Sequence, residues 1–218
     1  MKLPIFNPLR GEYFAKTTQI ISVGLALHLL LINTAQAAEL PKYQVEVIVF
    51  ETTALRGWTE EAYPFLETEI NLDGSVPATS LPKASLMLKD EASKLTLNAG
   101  YKVLVHQAYT IYGMPENKAT KISFENYPES EWTSKVKGTL LFYKSRFPHV
   151  DLTVQLDKAI PTKVRAEFAA QQKITIDTES GAPTWRFVFS ESRKTLRDET
   201  HYIDHPIYGA LVKVQLIP

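Results

Sequence analysis

The chain has 218 residues, with 24 basic and 24 acidic side chains, 44% hydrophobic residues and no cysteine. That length and composition suit one folded domain with a substantial core, not a disordered chain. Zero net charge removes the electrostatic case for nucleic acid or anionic lipid. The missing cysteine excludes disulfides, thiolate metal sites, cysteine nucleophiles and a lipid-modified N-terminal cysteine.

Residues 1–37 read as an export signal. Lys2, Arg10 and Lys16 make a basic start, and Ile20 to Ile32 is an apolar run broken only by Ser22 and His28. Ala35-Gln36-Ala37 then supplies a small-x-small cleavage site. The apolar run falls short of the roughly 20 residues a spanning helix needs. The expectation is a cleaved signal peptide over 1–37, a single domain over 38–218, and a periplasmic location without membrane insertion after cleavage. Loss of Lys2, Arg10, Lys16 and Glu12 shifts the formal charge from zero to −2.

Tyr43 to Glu51 alternates as a strand does, half exposed at its start and more buried at its end. Residues 52–82 hold Pro64, Pro77, Pro82, Gly57 and Gly74 without sustained periodicity, and read as a long connection. Ala84 to Asn98 is the strongest helical segment, with Leu88, Ala92, Leu95 and Ala99 as its apolar stripe and Gly100 as its C-cap. Tyr101 to Tyr109 alternates again. Residues 113–132 are polar, with one short strand at Lys121 to Glu125. Lys137 to Lys144 is a strand. Across Pro148, His149 to Leu156 forms either the second arm of a hairpin or the continuation of a bent edge strand. Residues 157–183 carry little pattern beyond a possible short strand between Ala159 and Ile176. Trp185 to Leu196 and Gly209 to Ile217 are the last two strands. The expected fold class is α+β: a largely antiparallel, curved sheet carrying one principal amphipathic helix. The strand–helix–strand start leaves room for a parallel first pair of strands.

Four segments together carry a family likeness. They are Tyr43–Phe50 (YQVEVIVF), Tyr101–Ala108 (YKVLVHQA), Gly138-Thr139-Leu140 leading to His149–Leu152 (HVDL), and Glu191-Ser192-Arg193 followed by His201–Gly209 (HYIDHPIYG). In this order the sequence resembles the CsiV family of periplasmic peptidoglycan-binding proteins. The resemblance implies a non-enzymatic role. It implies binding to the cell wall and support of wall synthesis, through an outer-membrane lipoprotein that activates a class A penicillin-binding protein. It implies no cofactor.

Several residues stand out as candidates for ligand contact. Trp58 and Trp132 lie in polar loops, where a large ring either stacks on sugar or plugs the loop onto the domain. Arg193, Lys194 and Arg197, with Arg186 at the start of the same strand, form a basic cluster suited to a stem-peptide carboxylate or simply to solvent. His201, Tyr202, Asp204 and His205 mark the final motif. Two histidines and a carboxylate invite a metal. Pro206 disfavours helical geometry before it, and an extended chain would separate the rings too far, so a turn-stabilising role is favoured. His106 and His149 read as partly buried strand histidines with local partners. A complete serine-nucleophile set is missing, since the SxxK at Ser80–Lys83 has a proline inside it and no usable SxN or KTG partner, and GxSxG does not occur. The alternative function is a metal-dependent or carboxylate-based hydrolase acting on the wall.

Overall fold

The computed structural model describes residues 39–126, 134–177, 182–196 and 198–218. The expected signal over 1–37 lies outside them, as do Trp132 and Arg197. Among the described residues, nine strands, β1 (Lys42–Thr52), β2 (Ser75–Pro77), β3 (Tyr101–Tyr112), β4 (Lys121–Asn126), β5 (Lys135–Lys144), β6 (Pro148–Ala159), β7 (Thr184–Lys194), β8 (Thr200–Asp204) and β9 (Tyr208–Ile217), accompany two short α-helices, α1 (Lys89–Lys94) and α2 (Arg165–Gln172).

The strands form two sheets rather than one curved sheet. The four-stranded sheet has the order β3-β1-β9-β8, and the five-stranded sheet β2-β4-β5-β6-β7. All pairs are antiparallel except β2 with β4. The inner faces share one core. Tyr43, Val45, Val47 and Val49 of β1 meet Leu140, Phe142, Leu152, Val154 and Phe187 of the opposing sheet. The Tyr43 and Phe142 rings lie 4.9 Å apart. Tyr208 donates its hydroxyl to the Val154 carbonyl at 2.7 Å, which satisfies the phenol at the centre of the packing. Burial pushes its pKa well above the usual tyrosine value.

The first two long strands are antiparallel, not parallel. Tyr101 of β3 pairs with Thr52 at the end of β1, and the Thr53 amide donates to the Gly100 carbonyl at 2.9 Å. The chain therefore re-enters the sheet where it left. The 11 residues of β1 span about 36 Å, and a parallel crossover would need a return helix of about 24 residues. The helix α1 has six.

The expected helix over Ala84 to Asn98 is broken into a 3-10 turn (Lys83–Ser85), α1, and a second 3-10 turn (Leu97–Ala99). Its apolar stripe survives in part. Leu88 is fully buried against Ile48 and Phe50, with Ala92 and Leu95 packed beside it. Gly100 adopts φ 87°, the left-handed conformation expected of it. The break traces to Glu46, whose carboxylate accepts the backbone N–H groups of Met87 and Leu88 (the latter at 2.8 Å). Gln44 donates to the Ser85 carbonyl at 2.7 Å. These contacts pull 85–88 flat onto β1. They also bury the start of β1, which the alternation alone leaves half exposed.

Among the described residues the longest helical run is 162–172, where a 3-10 turn leads into α2. It replaces the short strand expected there. Its Val164 and Phe168, four positions apart, are its buried residues. Phe168 closes one end of the core against Trp58 and Trp185. The residues around Pro148 form a hairpin, with Lys144 opposite Pro148. Strand β8 falls in what the sequence reads as a turn. Among the described residues, no helix is long and apolar enough to cross a membrane.

Candidate functional site

Strand alternation gives the five-stranded sheet a polar outer face. Register sets Arg186, Asp157 and Lys135 in one row; then Val188, Gln155, Lys137 and Glu125; then Ser190, Thr153, Thr139 and Ser123. Beyond these come Ser192, Asp151, Leu141 and Lys121, and finally Lys194, His149 and Tyr143. From Arg186 to Lys194 the face runs about 26 Å. Neighbours hold each other in place. Thr153 and Ser190 share a hydroxyl hydrogen bond of 2.9 Å, Ser192 donates to Asp151, and the Tyr143 and His149 rings stack at 4.9 Å. The outer face of the other sheet differs, because the 85–95 segment lies over β1 there.

At the Arg186 end, the long connection after β1 crosses this face and forms a cavity of about 300 Å³. Glu69, Lys135, Val136, Lys137, Gln155, Asp157 and Arg186 line it. Two polar contacts hold the connection down. The Ile70 amide donates to the Gln155 side-chain oxygen at 2.8 Å, and Arg186 Nη1 donates to the Glu67 carbonyl at 3.2 Å. Arg186 is locked by a two-pronged pair with Asp157, at 2.8 and 3.0 Å. That hydrogen-bonded pairing raises the guanidinium pKa further.

Glu69 reaches into the cavity. Its carboxylate accepts a hydrogen bond from Lys137 and lies 3.6 Å from Arg186. The Lys137 hydrogen bond, aided by the charges of Lys137, Arg186 and Lys135, holds its pKa below the ordinary glutamate value against a smaller effect of burial. The arrangement is three cations converging on one carboxylate. Such a set binds anionic groups through charge-assisted hydrogen bonds.

The structure distributes the sequence candidates widely. Trp58 is 1% exposed, with Phe168 and Phe187 edge-on to its ring at 5.4 and 5.3 Å. It is a core residue with no ring face left for a ligand, which corrects the reading of its loop as a stacking surface. Arg193 pairs with Glu191 at 3.3 Å, opposite Val150 on the inward-facing register of β7. Lys194 points the other way, its Nζ 3.6 Å from the centre of the Phe147 ring. Alternation therefore splits Arg193 and Lys194 between two faces, and of the described members of that cluster Arg186 lines the cavity.

The final motif is built into the fold. Ile203, Ile207 and Tyr208 are buried. His201 Nε2 accepts the Leu196 amide at 3.3 Å, and His205 Nδ1 accepts the Ile207 amide at 3.2 Å. The His205 ring packs among Tyr63, Phe187 and Tyr208, and burial lowers its pKa to about 4 against the weaker pull of Asp204. Tyr202 is exposed, lies parallel to Phe50 and donates to Asp204 at 2.6 Å. Gly209 serves close approach: a Cβ there would lie 2.9 Å from the Phe50 ring and 3.0 Å from the Ile203 carbonyl. His106 sits 2.7 Å from the fully buried Glu46. Among the described residues, no group of three or more His, Asp or Glu side chains could hold a metal ion.

The polar face and its cavity were not among the sequence candidates. The cavity joins residue 69 to three strands, so no spacing reveals it. The only visible signal is the strict alternation Asp151, Thr153, Gln155, Asp157.

A comparison with curated proteins gives no match. The family model described as "Peptidoglycan-binding protein, CsiV" matches residues 67–217, from the cavity-lining connection to the last residue of β9. That is more than half of the chain, so the chain belongs to the CsiV family of peptidoglycan-binding proteins.

Proposed function

We propose that this protein is a non-catalytic periplasmic adaptor, released by cleavage after Ala37, that binds peptidoglycan on the outer face of its five-stranded sheet. The observation that carries the placement is the contrast between the two sheets. One outer face is covered over β1 by the segment around Leu88, whereas the other presents hydroxyls, carboxylates and cations in ordered rows. Hydroxyls and carboxylates suit the hydroxyls and amides of a glycan–peptide polymer, and the cationic end suits its stem carboxylates. With the polymer held there, the protein supports wall synthesis by promoting an outer-membrane lipoprotein activator of a class A penicillin-binding protein. That part rests on the family.

Sedimentation with purified sacculi tests the binding. The expected result is retention above a control protein of similar size and charge, with no new muropeptides released. Absence of retention, or release of new muropeptides, contradicts the reading. The partner arm is tested by co-purification with the lipoprotein activator and by measuring glycan polymerisation with and without this protein.

A further inference from the structure

We infer that the Lys135–Lys137–Arg186 cavity is the subsite for a free carboxylate of the wall's peptide stem, and that Glu69 occupies it as a tethered stand-in until the wall displaces it. This rests on the reading of the protein as a peptidoglycan binder and names the part of the polymer recognised.

Three features carry it. First, the cavity already accommodates a carboxylate, because Glu69 accepts from Lys137, approaches Arg186 at 3.6 Å and is held ionised by both together with Lys135. Second, the floor is rigid and the surrogate is not. Arg186 is clamped on Asp157, and Gln155 is buried and anchors the Ile70 amide. The Glu69 side chain is 49% exposed, on a connection without regular structure at that point. A pair open to solvent on its carboxylate side is more exchangeable than a buried one. Third, the lining carries three cations against Glu69 and Asp157. Swinging Glu69 out raises the local positive charge in a domain whose overall balance is slightly acidic. A second carboxylate restores it. Within peptidoglycan such carboxylates lie on the stems, so the cavity reads stems and the hydroxyl rows beyond it lie along the polymer.

The test compares wild type, Glu69→Gln and Lys135→Glu on intact sacculi. A soluble stem tetrapeptide and the same peptide amidated at its carboxyls serve as competitors, and thermal melting checks folding. Glu69→Gln is expected to tighten sacculus binding about two- to fivefold, because the neutral amide holds the cations less well. Lys135→Glu, at an exposed position, is expected to weaken it by a similar factor. The tetrapeptide competes and its amidated form does not. A structural role for Glu69 predicts the opposite sign, since loosening the connection would weaken binding. Unchanged or weaker binding by Glu69→Gln overturns the inference, as does failure of the tetrapeptide to compete. Retained wild type with unresponsive variants overturns this inference alone. Wild type that is not retained overturns the proposed function as well.

Discussion

Glu46 and Leu88, 42 positions apart, are joined by a hydrogen bond of 2.8 Å between a fully buried carboxylate and a backbone amide. The same carboxylate accepts the Met87 amide and faces His106 Nε2 at 2.7 Å. One side chain of β1 thus satisfies two amides where the chain enters α1, which has no side-chain cap of its own.

Glu46→Ala is expected to cost about 2–4 kcal/mol, because it orphans two amides and the histidine nitrogen. Urea unfolding followed by circular dichroism measures this as a lower midpoint. Sacculus binding by the folded fraction stays unchanged, since this face is not the proposed binding face.

Trp58→Ala is expected to destabilise by about 3–5 kcal/mol through the cavity it leaves beneath Phe168 and Phe187. Trp58→Phe costs less and keeps full sacculus retention. Loss of retention by a stably folded Trp58→Phe would restore the loop tryptophan as a ligand contact.

Folding stability depends on pH through His205. Its pKa of about 4 in the folded state lies below the ordinary value of 6.5, so the unfolded chain binds the proton first. Stability is therefore complete above about pH 6.5 and falls as pH drops towards 4. The full difference corresponds to about 3 kcal/mol, and screening of the partly exposed ring reduces it to about 1–2 kcal/mol. His205→Asn keeps an acceptor near the Ile207 amide and flattens this slope. Urea midpoints between pH 4 and 7 decide it; an equal slope in the variant assigns the dependence to other groups.

The long strands were legible because a two-residue period survives in β1, β3, β6 and β9. The cover over β1 was only half legible. Leu88, Ala92 and Leu95 announce an apolar stripe, but the hydrogen bonds that flatten the chain before α1 come from Glu46 and Gln44, 41 positions upstream. Local periodicity cannot report such contacts. The helix α2 was missed because its apolar pattern is one pair, Val164 and Phe168. The motif His201–Gly209 was visible as a unit, and its role became visible only with Tyr63 and Phe187 packed around His205. The cavity required Glu69 to meet Lys137 and Arg186, an encounter made by sheet pairing rather than by spacing.

Arg186→Lys is expected to lose the two-pronged hold on Asp157 and the Glu67 carbonyl while keeping the charge. The expected cost is about 1 kcal/mol of stability. Sacculus affinity drops more than melting does, because the rigid guanidinium that lines the proposed carboxylate subsite is replaced by a flexible point charge. Parallel melting and sedimentation assays separate the two effects.

The placement of the wall on the open sheet face is tested most directly by sacculus sedimentation of three proteins: wild type, Ser190→Glu and Ser93→Glu. Ser190 is exposed in the middle row of the polar face, and Ser93 is exposed on α1 over the other sheet. Both variants add the same charge and size. The account predicts that Ser190→Glu loses most of its retention while Ser93→Glu sediments like wild type, with all three melting alike. Equal retention of Ser190→Glu and wild type, or a selective loss in Ser93→Glu, would contradict it.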